Sequence, residues 1–215
     1  MDNGIQSKER VKEFGEVFTP DKIVNDMMDL VDKQFGELSA EDYILKTILE
    51  PACGDGQFLI RILYRKLLKV AELPVDQRPL ALVKALSSIY GVDIQADNVK
   101  NARDRMFKVA TGKEITSFDL DNVPKPIIVE LDIEYTEQLL NVINFILENN
   151  IIVANTLEPD KVIFKSYHFN GSKVSTASAI LNSLDFEFDT TNEVDYLDLP
   201  SLGSSSDSEE SDFDF

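Results

Sequence analysis

Residues 49–59 read Leu-Glu-Pro-Ala-Cys-Gly-Asp-Gly-Gln-Phe-Leu. An apolar run, Ile44 to Leu49, delivers the chain to Glu50. Pro51, Ala52, Cys53, Gly54, Asp55 and Gly56 then make a tight turn of small residues, and a helical run follows from Phe58 to Leu68. A glycine turn between strand and helix lets a ligand approach the backbone, because glycine carries no side chain and tolerates positive φ. The N–H groups that open the helix point at that ligand. Glu50, just ahead of the turn, argues against a phosphate and for a cationic or hydroxyl-rich ligand. S-adenosylmethionine, with its ammonium and sulfonium, fits.

Two other stretches can serve the same ligand. Ile89-Tyr90-Gly91-Val92-Asp93-Ile94 reads as a strand ending in an acid, and open α/β sheets bind ligands at the carboxyl ends of their strands. Gly15-Glu16-Val17-Phe18-Thr19-Pro20 precedes a helical stripe of Ile23, Val24, Met27, Met28 and Val31. Thr19 suits the N-cap and Pro20 the first helical position. Such a helix N-terminus can also meet a carboxylate.

Together these three stretches resemble motifs I, II and X, respectively, of the adenine-N6 DNA methyltransferases of restriction–modification systems and phages. Glu50 to Phe58 resembles motif I, Gly15 to Pro20 motif X, and Ile89 to Ile94 motif II; the likeness covers roughly residues 11–157. The resemblance implies S-adenosylmethionine as cofactor. Its methionine end would meet Thr19, Pro20 and the turn Pro51 to Gly56, and its ribose Asp93, with Ile94 beside it. It implies DNA as partner, and a Rossmann-like, doubly wound, mostly parallel α/β sheet. Asn155, after the apolar strand Ile151-Ile152-Val153, stands where that family contacts the cofactor's adenine.

Each residue also has a plain structural use. Asp55 can cap the helix behind the turn, Asp93 can cap or be solvated, and Asn155 can close a strand-end turn. Cys53 has no basic neighbour in sequence to activate it.

The family's catalytic motif is Asp, Asn or Ser followed by Pro-Pro and an aromatic, which accepts the adenine amino group and stacks the flipped base. No Pro-Pro occurs in the 215 residues; Asp198-Leu199-Pro200-Ser201 is the nearest string. The catalytic residues are therefore not assigned, and the sheet is expected to be truncated or divergent toward its C-terminal end. Three readings stay open: one part of a split or truncated methyltransferase completed by a partner subunit, a cofactor-binding relative without catalysis, or an acidic decoy that mimics DNA.

Composition narrows the class. One cysteine excludes an intramolecular disulfide framework and fits a reducing cytoplasm, and one histidine argues against a His-rich metal cluster. No stretch suits a membrane span or a signal peptide. The net charge of −18 is unusual for a nucleic-acid enzyme, but eleven of the acids lie in residues 184–215 with no Lys or Arg, leaving −7 for residues 1–183.

Along the chain, residues 1–13 form a polar N-terminal segment, 14–200 the cofactor-binding domain, and 201–215 an acidic tail expected to be disordered, fit to solvate the protein or to bind a basic partner surface. Strands are expected at Thr47–Leu49, Ser87–Ile94, Ile151–Val153 and Lys161–Phe169, the last followed by an Asn170-Gly171 turn. Helices are expected after the turn, at Leu80–Leu86, at Asp97–Val109 with Arg103 and Arg105 largely outward, at Tyr135–Glu148 and at Thr176–Leu184. Residues 111–134 read as irregular. His168, between Tyr167 and Phe169, reads as a strand residue without a catalytic partner.

Overall fold

The computed structural model describes residues 19, 21–112, 115–118, 124–182 and 192–203. Three short parallel strands form its centre. They are β1 (Ile48–Glu50), β2 (Ile89–Asp93) and β5 (Ile151–Val153), in the order β1-β2-β5. Glu50 pairs with Gly91, and Asp93 with Val153. β1 thus stops two residues short of β2, and the chain leaving Glu50 must cross the tip of β2.

The connections are helical, as parallel pairing requires. α1 (Asp21–Phe35) and α2 (Ala40–Leu45) precede β1. α3 (Gln57–Ala71), a 3-10 turn at Val75–Gln77 and α4 (Arg78–Ser87) link β1 to β2. α5 (Ala96–Ala110) and α6 (Glu137–Asn150) link β2 to β5. Local chemistry sets several boundaries. Ser39 caps α2 by accepting from the Asp42 N–H, and Thr136 caps α6 by accepting from the Leu139 N–H. Gly36, at φ +66°, ends α1. The topology is one βαβαβ unit, the half from which doubly wound sheets are built.

The two faces of this sheet are covered differently. Ile89, Gly91 and Ile151 face the helices, where Leu59, Leu63, Val99 and Ile143 belong to the main core. A Cβ on Gly91 would lie 2.8 Å from the end of the Leu59 side chain, so a larger residue there would require that side chain to shift. Tyr90 and Val92 point the other way and pack on Val162 and Phe164. That face is covered by the hairpin of β6 (Ile163–Asn170) and β7 (Lys173–Ile180), to which β8 (Val194–Asp195) adds.

Three expectations are corrected. The segment from Thr176 is a strand, not a helix: its β-branched residues pair along β6, from Asn170↔Lys173 to Ile163↔Ile180. Residues 111–134 hold a hairpin, β3 (Ile115–Phe118) with β4 (Pro124–Ile127). β6 is the strand expected at Lys161–Phe169, and it pairs antiparallel with β7 in a sheet separate from the parallel one. Among the described residues, then, β6–β7 stands where a doubly wound fold carries a second layer of helices. Residues 201–203, assigned to the tail, end a 3-10 helix at Tyr196–Gly203 that packs through Leu199; residues 204–215 lie outside the described residues.

Two cations, one half-buried and one fully buried, fasten the frame. Arg65 of α3 pairs with Asp29 at 2.6 Å and with Asp32, and donates to the Asn25 carbonyl, tying α1 to α3. Lys66 is fully buried. Its Nζ donates to the carbonyls of Ile44 (2.7 Å) and Lys46 (2.6 Å) and to Ser88 Oγ (2.8 Å), joining the entries to β1 and β2. Burial pushes its ammonium down from 10.5 to about 7. Between those values the unfolded lysine holds a proton that the folded one has released, so unfolding takes up a proton and stability rises with pH. Urea unfolding from neutral pH toward pH 10.5 is expected to show this rise, with a slope of at most about 1.4 kcal/mol per pH unit. Lys66→Met should remove it.

Candidate cofactor site at the ends of the parallel strands

The turn between β1 and α3 is held by the strand beside it. The Cys53 N–H donates to the Val92 carbonyl at 2.8 Å, extending β2's pairing past the end of β1. The next amide, Gly54, donates to Asp93 Oδ2 at 2.9 Å. Asp93 Oδ1 accepts from the Gln95 N–H at 2.9 Å and from Asn98 Nδ2 at 3.4 Å. One carboxylate therefore binds the turn on one side and the start of α5 on the other. Gly54 (φ +52°) and Gly56 (φ +89°) both take left-handed conformations, which a side chain would strain.

The turn's residues divide by direction. Pro51 and Ala52 are exposed, and Glu50, Gly54 and Asp55 are half-buried. Cys53 is buried, with its sulfur near Gly91. Burial, helped by the Asp93 and Glu50 charges, pushes its thiol up to about 12, so it is no thiolate nucleophile. Gly56 is also buried: a Cβ there would lie 2.9 Å from Ala102 of α5. Gly56 is the N-cap of α3, and no side chain caps that end. Asp55 therefore does not occupy the N-cap position of α3. Asp55 instead pairs with Arg105 of α5 at 2.6 Å.

Glu50 differs from the other two acids. Its one bond among the described residues is from the Ala52 N–H, at 3.3 Å. Burial raises its pKa above the usual carboxylate value, and that single N–H lowers it only in part. A half-buried carboxylate with one long hydrogen bond suits an incoming cation.

Around this point the strand ends expose apolar side chains. Ile94 is 60% exposed, and Val153, paired with Asp93, is 50% exposed. Asn155 closes a turn: its Oδ1 accepts from the Leu157 N–H at 3.0 Å, and its Nδ2 donates to Glu158 at 3.3 Å. Both its polar atoms thus have local partners. Thr19 is half-buried just ahead of α1, the helix that Arg65 ties to α3; Pro20 and the rest of Gly15 to Phe18 lie outside the described residues.

Other candidates lie away from this site. Tyr167 donates to Asn150 Oδ1 at 3.1 Å, and burial holds its phenol well above the ordinary value. Its ring and that of Phe169 pack on the main core, so neither is presented to a base. His168 is exposed on β6. A cavity of about 210 Å³ is lined by Thr47, Ser88, Tyr90 and Tyr167, at the opposite, N-terminal end of the strands. Among the described residues no His, Cys, Asp and Glu group could hold a metal, and no helix is long and apolar enough to cross a membrane.

Sequence reasoning missed Arg105, Gln57 and Asn98. Arg103 and Arg105 were expected outward. Arg103 instead donates to the Ile151 and Glu148 carbonyls, and Arg105 holds the turn. Their sequence positions hint at little, because the partners lie 45 to 50 residues away.

A family model described as N-6 DNA methylase matches residues 5–109. Over this stretch the chain is similar to the N-6 DNA methylases. The match takes in the Gly15–Pro20 segment, the turn and Asp93, and stops in the last turn of α5. Asn155 and everything from β3 onward lie beyond it. No curated protein and no solved structure matches the chain.

Asp93→Asn tests the central bond. The variant keeps one acceptor, but its amide N–H₂ must face an N–H donor at Gly54 or Gln95. Urea unfolding is expected to show a loss of about 1–3 kcal/mol with an unchanged m-value.

Proposed function

We propose that this chain binds S-adenosylmethionine over the carboxyl ends of β1 and β2, as the cofactor-binding part of an adenine-N6 DNA methyltransferase-like protein. The observation that carries the reading is the turn Pro51–Gly56, pinned to Asp93 while Glu50 beside it keeps, among the described residues, a single long bond. In this reading Glu50 faces the cofactor's positive charge. Gly54 and Ala52 let the ligand approach the backbone. Asp93 meets the ribose through the lone pairs its three donors leave. Ile94 supplies an apolar wall for the adenine, and Asn155 borders it. Thr19 and Pro20 bring the N-terminus of α1 to the methionine carboxylate. The parallel unit of β1, β2 and β5 would then be one half of a doubly wound, Rossmann-like sheet, and the cofactor would lie at its switch point beside β1.

When bound, the cofactor supplies an electrophilic methyl group. The chain's part is orientation rather than proton transfer. No Pro-Pro-aromatic string occurs in these residues. We therefore place the acceptors for an adenine amino group on a partner subunit, with DNA as the shared substrate and the cytoplasm as the compartment. The same missing string supports a second reading, in which the chain binds the cofactor without catalysing transfer.

Glu50→Gln separates binding from folding. Removing an under-bonded, half-buried carboxylate is expected to raise Tm of the ligand-free protein. It should also weaken S-adenosylmethionine binding in calorimetric titration. A variant that binds as tightly as the parent would remove Glu50 from the site. A parent that shows no binding would overturn the cofactor reading.

A further inference from the structure

We infer that Arg105 is a positioning residue of the cofactor turn, holding Asp55 and Gln57 against α5 so that Glu50, not Asp55, meets the ligand's cation. The inference rests on the S-adenosylmethionine reading above.

The guanidinium of Arg105 reaches both sides of Gly56. Its Nη1 lies 2.6 Å from Asp55 Oδ2 and donates to the Asp55 carbonyl at 3.0 Å. Its Nη2 donates to Gln57 Oε1. Gln57 is the first residue of α3, so one side chain fixes the turn and the helix start together. Ala102, one turn earlier on α5, provides the floor. It is fully buried, and a Cβ on Gly56 would lie 2.9 Å from its Cα. Ala102 and Arg105 share a face of α5 at i, i+3 spacing. A small residue lets the turn settle, and a forked cation grips it.

This grip also settles the charge of the turn. Three acids surround it: Glu50, Asp55 and Asp93. Asp93 is engaged by three donors, and Asp55 is neutralised by a guanidinium that is itself only 21% exposed. Among the described residues Glu50 is left with one long bond. Without Arg105, Asp55 loses its guanidinium partner beside Glu50, and the turn and the start of α3 lose the anchor they share. The end of the ligand that suffers is the amino-acid end, which lies over the turn. The nucleoside end, over β2, keeps its contacts.

Two ligands separate these ends: S-adenosylhomocysteine, which carries the amino-acid group, and 5′-methylthioadenosine, which lacks it. Arg105→Ala is expected to weaken S-adenosylhomocysteine binding roughly ten- to a hundredfold, the scale of a misplaced binding element. It should leave 5′-methylthioadenosine binding nearly unchanged. Arg105→Lys, which keeps the charge but not the fork, should fall between. The double variant with Asp55→Ala should bind no more weakly than the worse single, because both break one interaction. Thermal unfolding of each variant identifies the folded ones, and Arg105→Lys carries the test if Arg105→Ala does not fold. Equal loss of both ligands, unchanged affinity, or additive losses in the double variant would each overturn this assignment while the cofactor reading stands. Failure of the parent protein to bind either ligand is the separate result that ends the cofactor reading.

Discussion

A single carboxylate organises the end of the sheet. Asp93 sits where β2 outruns β1, and its two oxygens divide between the turn before α3 and the start of α5. Hydrogen bonds to a charged acceptor contribute about 1.5–3 kcal/mol each in proteins, more than neutral ones. Here they are spent on loops that lack regular secondary structure. Because the Gly54 amide is directed inward to Asp93 and Cys53 inward to Val92, the outward side of the turn is left to Glu50, Ala52 and Gly54. The site's geometry follows from which groups are already occupied.

The same logic extends down the sheet. Lys66 fixes the two strand entries and Asp93 the exits, so β1 and β2 are tied at both ends although β1 has only three residues. Arg65 holds α1 against α3, and Arg103 holds α5 to the β5 carbonyl of Ile151. Each of these cations lies on an otherwise packed helix and reaches carbonyls or carboxylates of a neighbouring element. Apolar packing supplies the driving force, and these cations tie the short strands to the helices around them.

Much of this was legible in the sequence where the signal is local. The turn Pro51–Gly56, the strand ending at Asp93, the parallel strand at Ile151 and the helices between them follow from glycine placement and apolar period. The strand β7 was not, because Thr176 and Ile180 also sit at a helical i, i+4 spacing, and the pairing with β6 that decides the matter is tertiary. Lys66 falls on the apolar stripe of α3, three residues after Leu63, yet lysine is ordinarily read as outward. Arg105 carries no local mark at all. Its role exists only once α5 is laid beside a turn some fifty residues earlier. Asp55 shows the same limit from the other side: a loop acid reads as a ligand contact or a cap, and the fold gives it a third partner.

In the proposed reading, Asp93 pre-assembles the turn and leaves its outer side for S-adenosylmethionine. Amide hydrogen exchange across residues 51–58, with and without the cofactor, tests this most directly. Protection at the Gly54 amide in the free protein, with added protection at its neighbours on titrating S-adenosylmethionine, is the predicted result. Rapid exchange at Gly54 in the folded protein, or no change anywhere in the turn at saturating cofactor, would contradict it.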